Sequence, residues 1–430
     1  MTSRPRIVVI SVAALSHSLT EEHAALTEQL PLAFKPLQPV FPAVTCTAQA
    51  TMRTGTGPER HGMICNGLFE RRLCTTEFWN QSAHLVSGPR IWDDFRRAGG
   101  TVGTLFWQQS LGDAVDLVLS PAPIHKHSGG MIQDCYSQPA ELYAELCTRL
   151  GRRFNLAHYW GPLASFKATR WIVQATKAVM ASSHAPDLLL TYLPHLDYVL
   201  QRRGPDDRRS VGKAYEHVVA ALRELIAAAH RKKYDVIIAG DYGITPARRV
   251  AFPNKRLRDA GFFRVRKVDR RVYPDLFAST AFCLVDHQVA HVYVRDKGQI
   301  DDVRQCLEDC DGVADVLDHH AVDHPNSGEL ILVAAPGAWF AYSWWSDAER
   351  PPDYAEHVDI HNKIGFDPCE LFFGRLLPPG ISLNAAKIRG THGRADTPVA
   401  MATDIELPPD TKTCLALSLA LKQKLSNAVA

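Results

Sequence analysis

Val236-Ile-Ile-Ala-Gly240-Asp241-Tyr242-Gly-Ile244 is an apolar, β-branched run that stops on a carboxylate. A short run with no polar face reads as a strand covered on both sides, as in a parallel sheet flanked by helices. Residues 7–11, 187–193 and 330–334 have the same texture. Between these runs, residues 141–150, 164–181 and 210–231 carry apolar side chains at three- and four-residue spacing with few breakers, the pattern of amphipathic helices. Strand and helix alternating in this way predict an α/β fold, a three-layer α/β/α core with a mostly parallel sheet. Chemistry is then expected where the strands end at their carboxyl termini.

The stretch 252–345 differs, with short alternating runs such as 291–294 and a short helix near 302–307. It is read as an inserted cap region, leaving 1–251 and 346–430 as the catalytic core. No internal repeat interrupts this division.

Composition narrows the function. The chain has 430 residues, 46% of them apolar and 22% charged, and a net charge of +2. That suits a large packed core and not a disordered chain. A charge so near zero supplies no basic field for a nucleic-acid polymer, and Arg202–Arg203 and residues 231–233 read as solvated faces. Ten cysteines without any Cys-x-x-Cys pair argue for a reducing compartment, and Cys306 and Cys310 read as ordinary helix residues. Arg4 and Arg6 precede the apolar run 7–15, which imitates a leader peptide but is better explained as a buried first strand. No run reaches the roughly 18 apolar residues of a membrane span, so no membrane partner and a cytoplasmic location are expected.

A second block carries chemistry. Pro39-Val-Phe-Pro-Ala-Val-Thr45-Cys-Thr is followed by Thr54-Gly and then by Gly57-Pro-Glu-Arg-His-Gly-Met-Ile-Cys-Asn66. A threonine that starts a helix sets its hydroxyl beside free N–H groups, a natural site for a phosphate oxygen. An N-cap role explains an isolated threonine equally well. The whole block resembles the nucleophile region of the nucleotide pyrophosphatase/phosphodiesterase family in the alkaline phosphatase superfamily. The resemblance implies that Thr45 attacks phosphorus while the Cys46 amide and the Asn66 side chain hold a non-bridging oxygen.

Three later segments resemble the metal-binding positions of that family: Tyr192-Leu-Pro-His-Leu-Asp197, Ala239-Gly-Asp241-Tyr242-Gly and Gly390-Thr-His392-Gly. The resemblance implies a divalent metal held by Asp197, Asp241 and His392. The pattern breaks at three ligands. Ala13 stands where an Asp is expected, Gln201 where a His follows Asp197, and Tyr242 where a His follows Asp241. One ion is therefore expected rather than two, zinc first, with manganese or magnesium as alternatives. His361 is a candidate replacement ligand. His195 is another, on the reading that it shares a strand face with Asp197. His287 and His291 are weaker candidates, since their alternation with Val289 and Val292 fits a cap strand. Asp359 and Lys363 are candidates for binding substrate, with inert surface loop charges the plainer reading. The aromatics at 106–107, 159–160, 171 and 344–345 read as core residues, any of which could instead line a pocket.

The resulting expectation is a metal-dependent hydrolase of phosphate or phosphonate esters acting on a small phosphorylated substrate with a Thr nucleophile. A transferase on the same scaffold, or a metal-deficient protein that binds a phosphorylated ligand, are the alternatives.

Overall fold

The structure is a computed structural model that describes residues 4–127, 130–374 and 380–427. Its centre is an eight-stranded sheet. In chain order the strands are β1 (Ile7–Val12), β2 (Phe34–Leu37), β3 (Val102–Leu105), β4 (Leu117–Pro121), β5 (Cys135–Gln138), β6 (Leu188–Leu193), β7 (Asp235–Gly240) and, late in the chain, β12 (Val399–Thr403). They lie in the order β2-β12-β7-β1-β6-β3-β4-β5. The inner pairs β7–β1, β1–β6, β6–β3 and β3–β4 run parallel. Both margins are antiparallel, β5 at one side and β12 with β2 at the other.

Every residue of β1 and β6 is buried, including Ser11 and Thr191 within their otherwise apolar runs. Val8, Ile10 and Val12 pack toward α3 (Phe166–Met180) and α5 (Arg208–Arg231), while Ile7 and Val9 pack toward α7 (Cys414–Asn427) on the opposite face. Helices thus cover both sheet faces, and each fully buried Val, Ile or Leu contributes about 1.5–3 kcal/mol. The helices expected at 141–150, 164–181 and 210–231 are present as α2 (Leu142–Leu150), α3 and α5. The run at 7–15 forms β1 and the turn after it.

One expectation about the sheet fails. Leu330–Ala334 is not in the large sheet but is β11 of a separate four-stranded sheet. Its partners are β8 (Ala281–Asp286), β9 (Val289–Val294) and β10 (Val313–Asp318), all antiparallel, in the order β8-β9-β11-β10. A second apolar cluster, including Leu257, Val303, Leu307 and Phe340, buries β8, β9 and β11 of this smaller sheet, while β10 at its edge stays half-exposed. The helix expected at 302–307 is α6 (Ile300–Glu308), packed in the same cluster. The tight β8–β9 hairpin aims its tip, Asp286 to Gln288, back at the large sheet, where Gln288 N–H donates to the His392 carbonyl at 2.8 Å.

Among the described residues, no helix is long and apolar enough to cross a membrane.

Candidate active site

Helix α1 (Thr45–Thr54) starts beside the carboxyl ends of β1, β6 and β7. Val44, in extended conformation, is its N-cap and offers no side-chain cap, while Gly55 ends it in the left-handed conformation at φ 66°. Thr45 is the first helical residue and is 2% exposed. Its hydroxyl is therefore not spent as an N-cap. The Cys46 N–H donates to Asn66 Oδ1 at 3.0 Å, which ties the two groups expected to hold a phosphate oxygen to each other.

Beyond β6 the chain enters α4 (His195–Arg203), which carries Asp197 and Gln201 one turn apart. Gln201 Nε2 donates to both carboxylate oxygens of Asp197, at 2.7 and 2.8 Å. The Tyr242 hydroxyl donates to Asp197 Oδ1 at 3.0 Å, and the Thr45 side chain lies beside that hydroxyl, where it favours the ionised phenol. Hydrogen bonds thus join Tyr242, Asp197 and Gln201, with Thr45 beside the Tyr242 end of the row. Burial raises the Asp197 carboxyl to about 6, with the Gln201 and Tyr242 bonds pulling the other way.

Asp241, at the end of β7, accepts from the Ala14 N–H at 3.2 Å and the Tyr242 N–H at 3.0 Å through Oδ1. Ala14 has φ 59°, so the turn after β1 offers a backbone donor where the family pattern would place a carboxylate one residue earlier. Asp241 Oδ2 is buried without a hydrogen-bond partner among the described residues, and burial lifts this carboxyl well above its ordinary range. His392 bonds through Nδ1 to the Ala43 carbonyl at 2.8 Å and lies flat on Tyr242, with ring centroids 3.5 Å apart. Burial holds its imidazole well below the ordinary histidine range.

Sequence reasoning gave little weight to the smaller sheet's contribution to this site. Asp286 Oδ2 accepts from the Asn66 N–H at 2.7 Å, and its Oδ1 accepts from Asn66 Nδ2 at 3.2 Å. The same Oδ1 lies 2.7 Å from His287 Nδ1. His287 is 3% exposed and sits between Phe366 and His392, with ring centroids at 3.8 and 3.7 Å. Burial raises Asp286 to about 6 and lowers His287 well below its usual range.

Several expectations are corrected by the geometry. His195 is helical, not on a strand, and two residues on a helix point about 200° apart, so it does not share Asp197's face. It packs instead against Phe166 and His217. His291 bonds to the Ile64 carbonyl and the Gly328 N–H. Lys363 is no surface charge: it is 1% exposed, 2.8 Å from Asp367 Oδ2 and 2.5 Å from Glu370 Oε1. Asp359 caps the following turn through Asn362. His361 bonds through Nδ1 to the Phe78 carbonyl at 2.8 Å and lines the cavity wall.

A metal was tested against these donors. Both Asp197 oxygens already accept hydrogen bonds, and the Tyr242 ring, a non-ligating group, lies against His392. Among the described residues, no three His, Cys, Asp or Glu side chains converge as a cation site. The donor set does not fit the two-ion centre that the sequence resemblance implies, nor a single ion on Asp197, Asp241 and His392.

Thr45, Asn66, Asp197, Tyr242, His287 and His392 all open onto one cavity of about 860 Å³. Its outer walls are Trp79, Tyr159, Trp160, Tyr198, Phe366 and Phe373 together with the segment 357–362. Trp107, Trp171 and Trp344 are instead buried in the core.

This fold is shared with solved structures. Phosphonoacetate hydrolase of Sinorhizobium meliloti 1021, in complex with phosphonoacetate, superposes with a TM-score of 0.62 at 16% identity, covering 99% of this chain and 96% of that one. Murine ectonucleotide pyrophosphatase/phosphodiesterase 5 gives 0.57 at 15% identity, covering 98% and 95%, and an inactive variant of it is known in complex with AMP. An uncharacterized pyrophosphatase/phosphodiesterase of Schizosaccharomyces pombe is 23% identical over 214 residues, 49% of this chain but 38% of that protein. This chain thus matches well under half of that curated relative's length. Residues 9–367 match the Type I phosphodiesterase / nucleotide pyrophosphatase family, and the chain belongs to that family.

Proposed function

We propose that this protein hydrolyses a phosphate or phosphonate ester through attack of Thr45 on phosphorus. The observation that carries this reading is the Tyr242 hydroxyl, which lies beside Thr45 at the N-terminus of α1 and donates to the buried Asp197 at 3.0 Å. Asp197 accepts a proton relayed through Tyr242 as the Thr45 oxygen attacks, so the nucleophile is activated by a buried carboxylate. The helix N-terminus and Asn66 orient the phosphoryl group. Because no three His, Cys, Asp or Glu side chains converge as a cation site among the described residues, no step is assigned to zinc, manganese or magnesium, although relatives in this family generally depend on divalent metals.

The cavity supports a substrate class. Asp197 and Asp359 are the charged side chains among its described lining residues besides histidines, and aromatic rings make up much of its outer wall. Such a pocket suits an ester with one anionic phosphorus and a bulky apolar or aromatic group, and is poorly matched to a polyphosphate. The relatives found with phosphonoacetate and AMP are consistent with a small phosphorylated ligand.

The test is nitrophenolate release from bis(4-nitrophenyl) phosphate and from 4-nitrophenyl phenylphosphonate. Thr45→Ala should lower turnover by about 10³-fold or more. Full turnover by that variant would remove Thr45 from the mechanism.

A further inference from the structure

We infer that Asp286 and His287, supplied by the cap hairpin, form a catalytic dyad that accepts the proton of the water that releases the phosphoryl group from Thr45. The inference rests on the hydrolase reading above and adds the second half of its reaction. Four independent observations meet at His287. Its Nδ1 lies 2.7 Å from the Asp286 carboxylate, which fixes the ring's orientation and tautomer, leaving Nε2 as the proton acceptor. That Nε2 is buried with no hydrogen-bond partner among the described residues. The residue lines the same cavity as Thr45 and Asn66. Its backbone is at φ 59°, a conformation a histidine seldom adopts, held by a Phe340 N–H bond to its carbonyl at 2.7 Å.

Asp286 does more than orient the ring. By accepting from both the backbone and side-chain nitrogens of Asn66, it locks the dyad to the residue that faces the phosphoryl oxygens. The step balances as follows. In the first half the bond from Thr45 Oγ1 to phosphorus forms and the ester P–O bond breaks, the hydroxyl proton passing to Asp197. In the second half water's oxygen bonds to phosphorus, the P–Oγ1 bond breaks, water's proton goes to His287 Nε2, and Asp197 returns its proton to Thr45 through Tyr242. Asp286 stabilises the imidazolium, which then loses its proton through solvent to the departed alkoxide.

The discriminating variant is His287→Asn, because asparagine tolerates positive φ and keeps the hairpin; Asp286→Asn is the second. Rapid-mixing kinetics with bis(4-nitrophenyl) phosphate, followed by intact mass and peptide mapping, reads the outcome. Expected is a burst of nitrophenolate near one per chain, a steady rate lowered about 10²-fold or more, and a 4-nitrophenyl-phosphoryl group trapped on Thr45. An unchanged steady rate, or burst and steady rate lowered in parallel without trapped phosphoprotein, overturns the dyad's role while leaving the hydrolase reading in place. Turnover that survives Thr45→Ala overturns both.

Discussion

Tyr242 lies flat on His392, with ring centroids 3.5 Å apart and planes within 7°, while its hydroxyl reaches Asp197 Oδ1 at 3.0 Å. One aromatic residue thus fills ground between two side chains that the family pattern assigns to a cation, and converts their neighbourhood into a hydrogen-bonded relay. Tyr242→Phe keeps the ring and deletes the relay. Turnover should fall by about 10²-fold or more while the melting temperature moves little, measured by steady-state kinetics beside thermal unfolding.

Asp197 links activity and stability with opposite signs. Its folded value near 6 lies above the ordinary 3.8, so the folded chain holds a proton that the unfolded chain has already lost between those values. Stability from this group is complete below about 4 and is lost as pH rises through about 6. Turnover, which needs the carboxylate, should rise over the upper part of that interval. Asp197→Asn should therefore be inactive, yet no less stable at pH 8 than the parent, by up to about 1–3 kcal/mol in its favour, as read from urea unfolding.

Lys363 bridges Asp367 and Glu370 in the interior, and Glu370 also accepts from Trp160 Nε1 and the Asp359 N–H. Burial alone would depress the lysine, but the two carboxylates more than offset it and raise it. Lys363→Met leaves two buried carboxylates unpaired, at a cost of about 3–5 kcal/mol. The cavity wall at 357–362 should loosen with it, seen as faster amide exchange there.

Restoring the family's ligands at once, by Ala13→Asp, Gln201→His and Tyr242→His, should create zinc affinity that the parent lacks. Calorimetric titration with zinc checks this directly: saturable binding by the triple variant alone is expected.

Much of this architecture was legible in the sequence. The runs that became β1, β6 and β7 are apolar without alternation because helices bury both faces, and the block around Thr45 announced its helix and its neighbours. Leu330–Ala334 misled because a fully buried strand of the smaller sheet has the same composition as a strand of the large one; periodicity does not say which sheet it joins. Gln201 and Tyr242 could be named as missing ligands, but their joint grip on Asp197 depends on α4 and the end of β7 meeting in space. His287 was weighed only as a weak metal candidate, since Val289 and Val292 gave that segment a strand's alternation. The β8–β9 hairpin turns there, and its tip reaches Asn66 across more than two hundred residues of chain.

The central claim is that Thr45 is activated by the Tyr242–Asp197 relay without a cation, and exhaustive chelation tests it most directly. Turnover of bis(4-nitrophenyl) phosphate would be measured after dialysis against chelator, with metal content determined on the same sample. The account predicts that turnover persists in protein holding far less than one zinc, manganese or magnesium ion per chain. Turnover that vanishes on chelation and returns with stoichiometric zinc or manganese would contradict it.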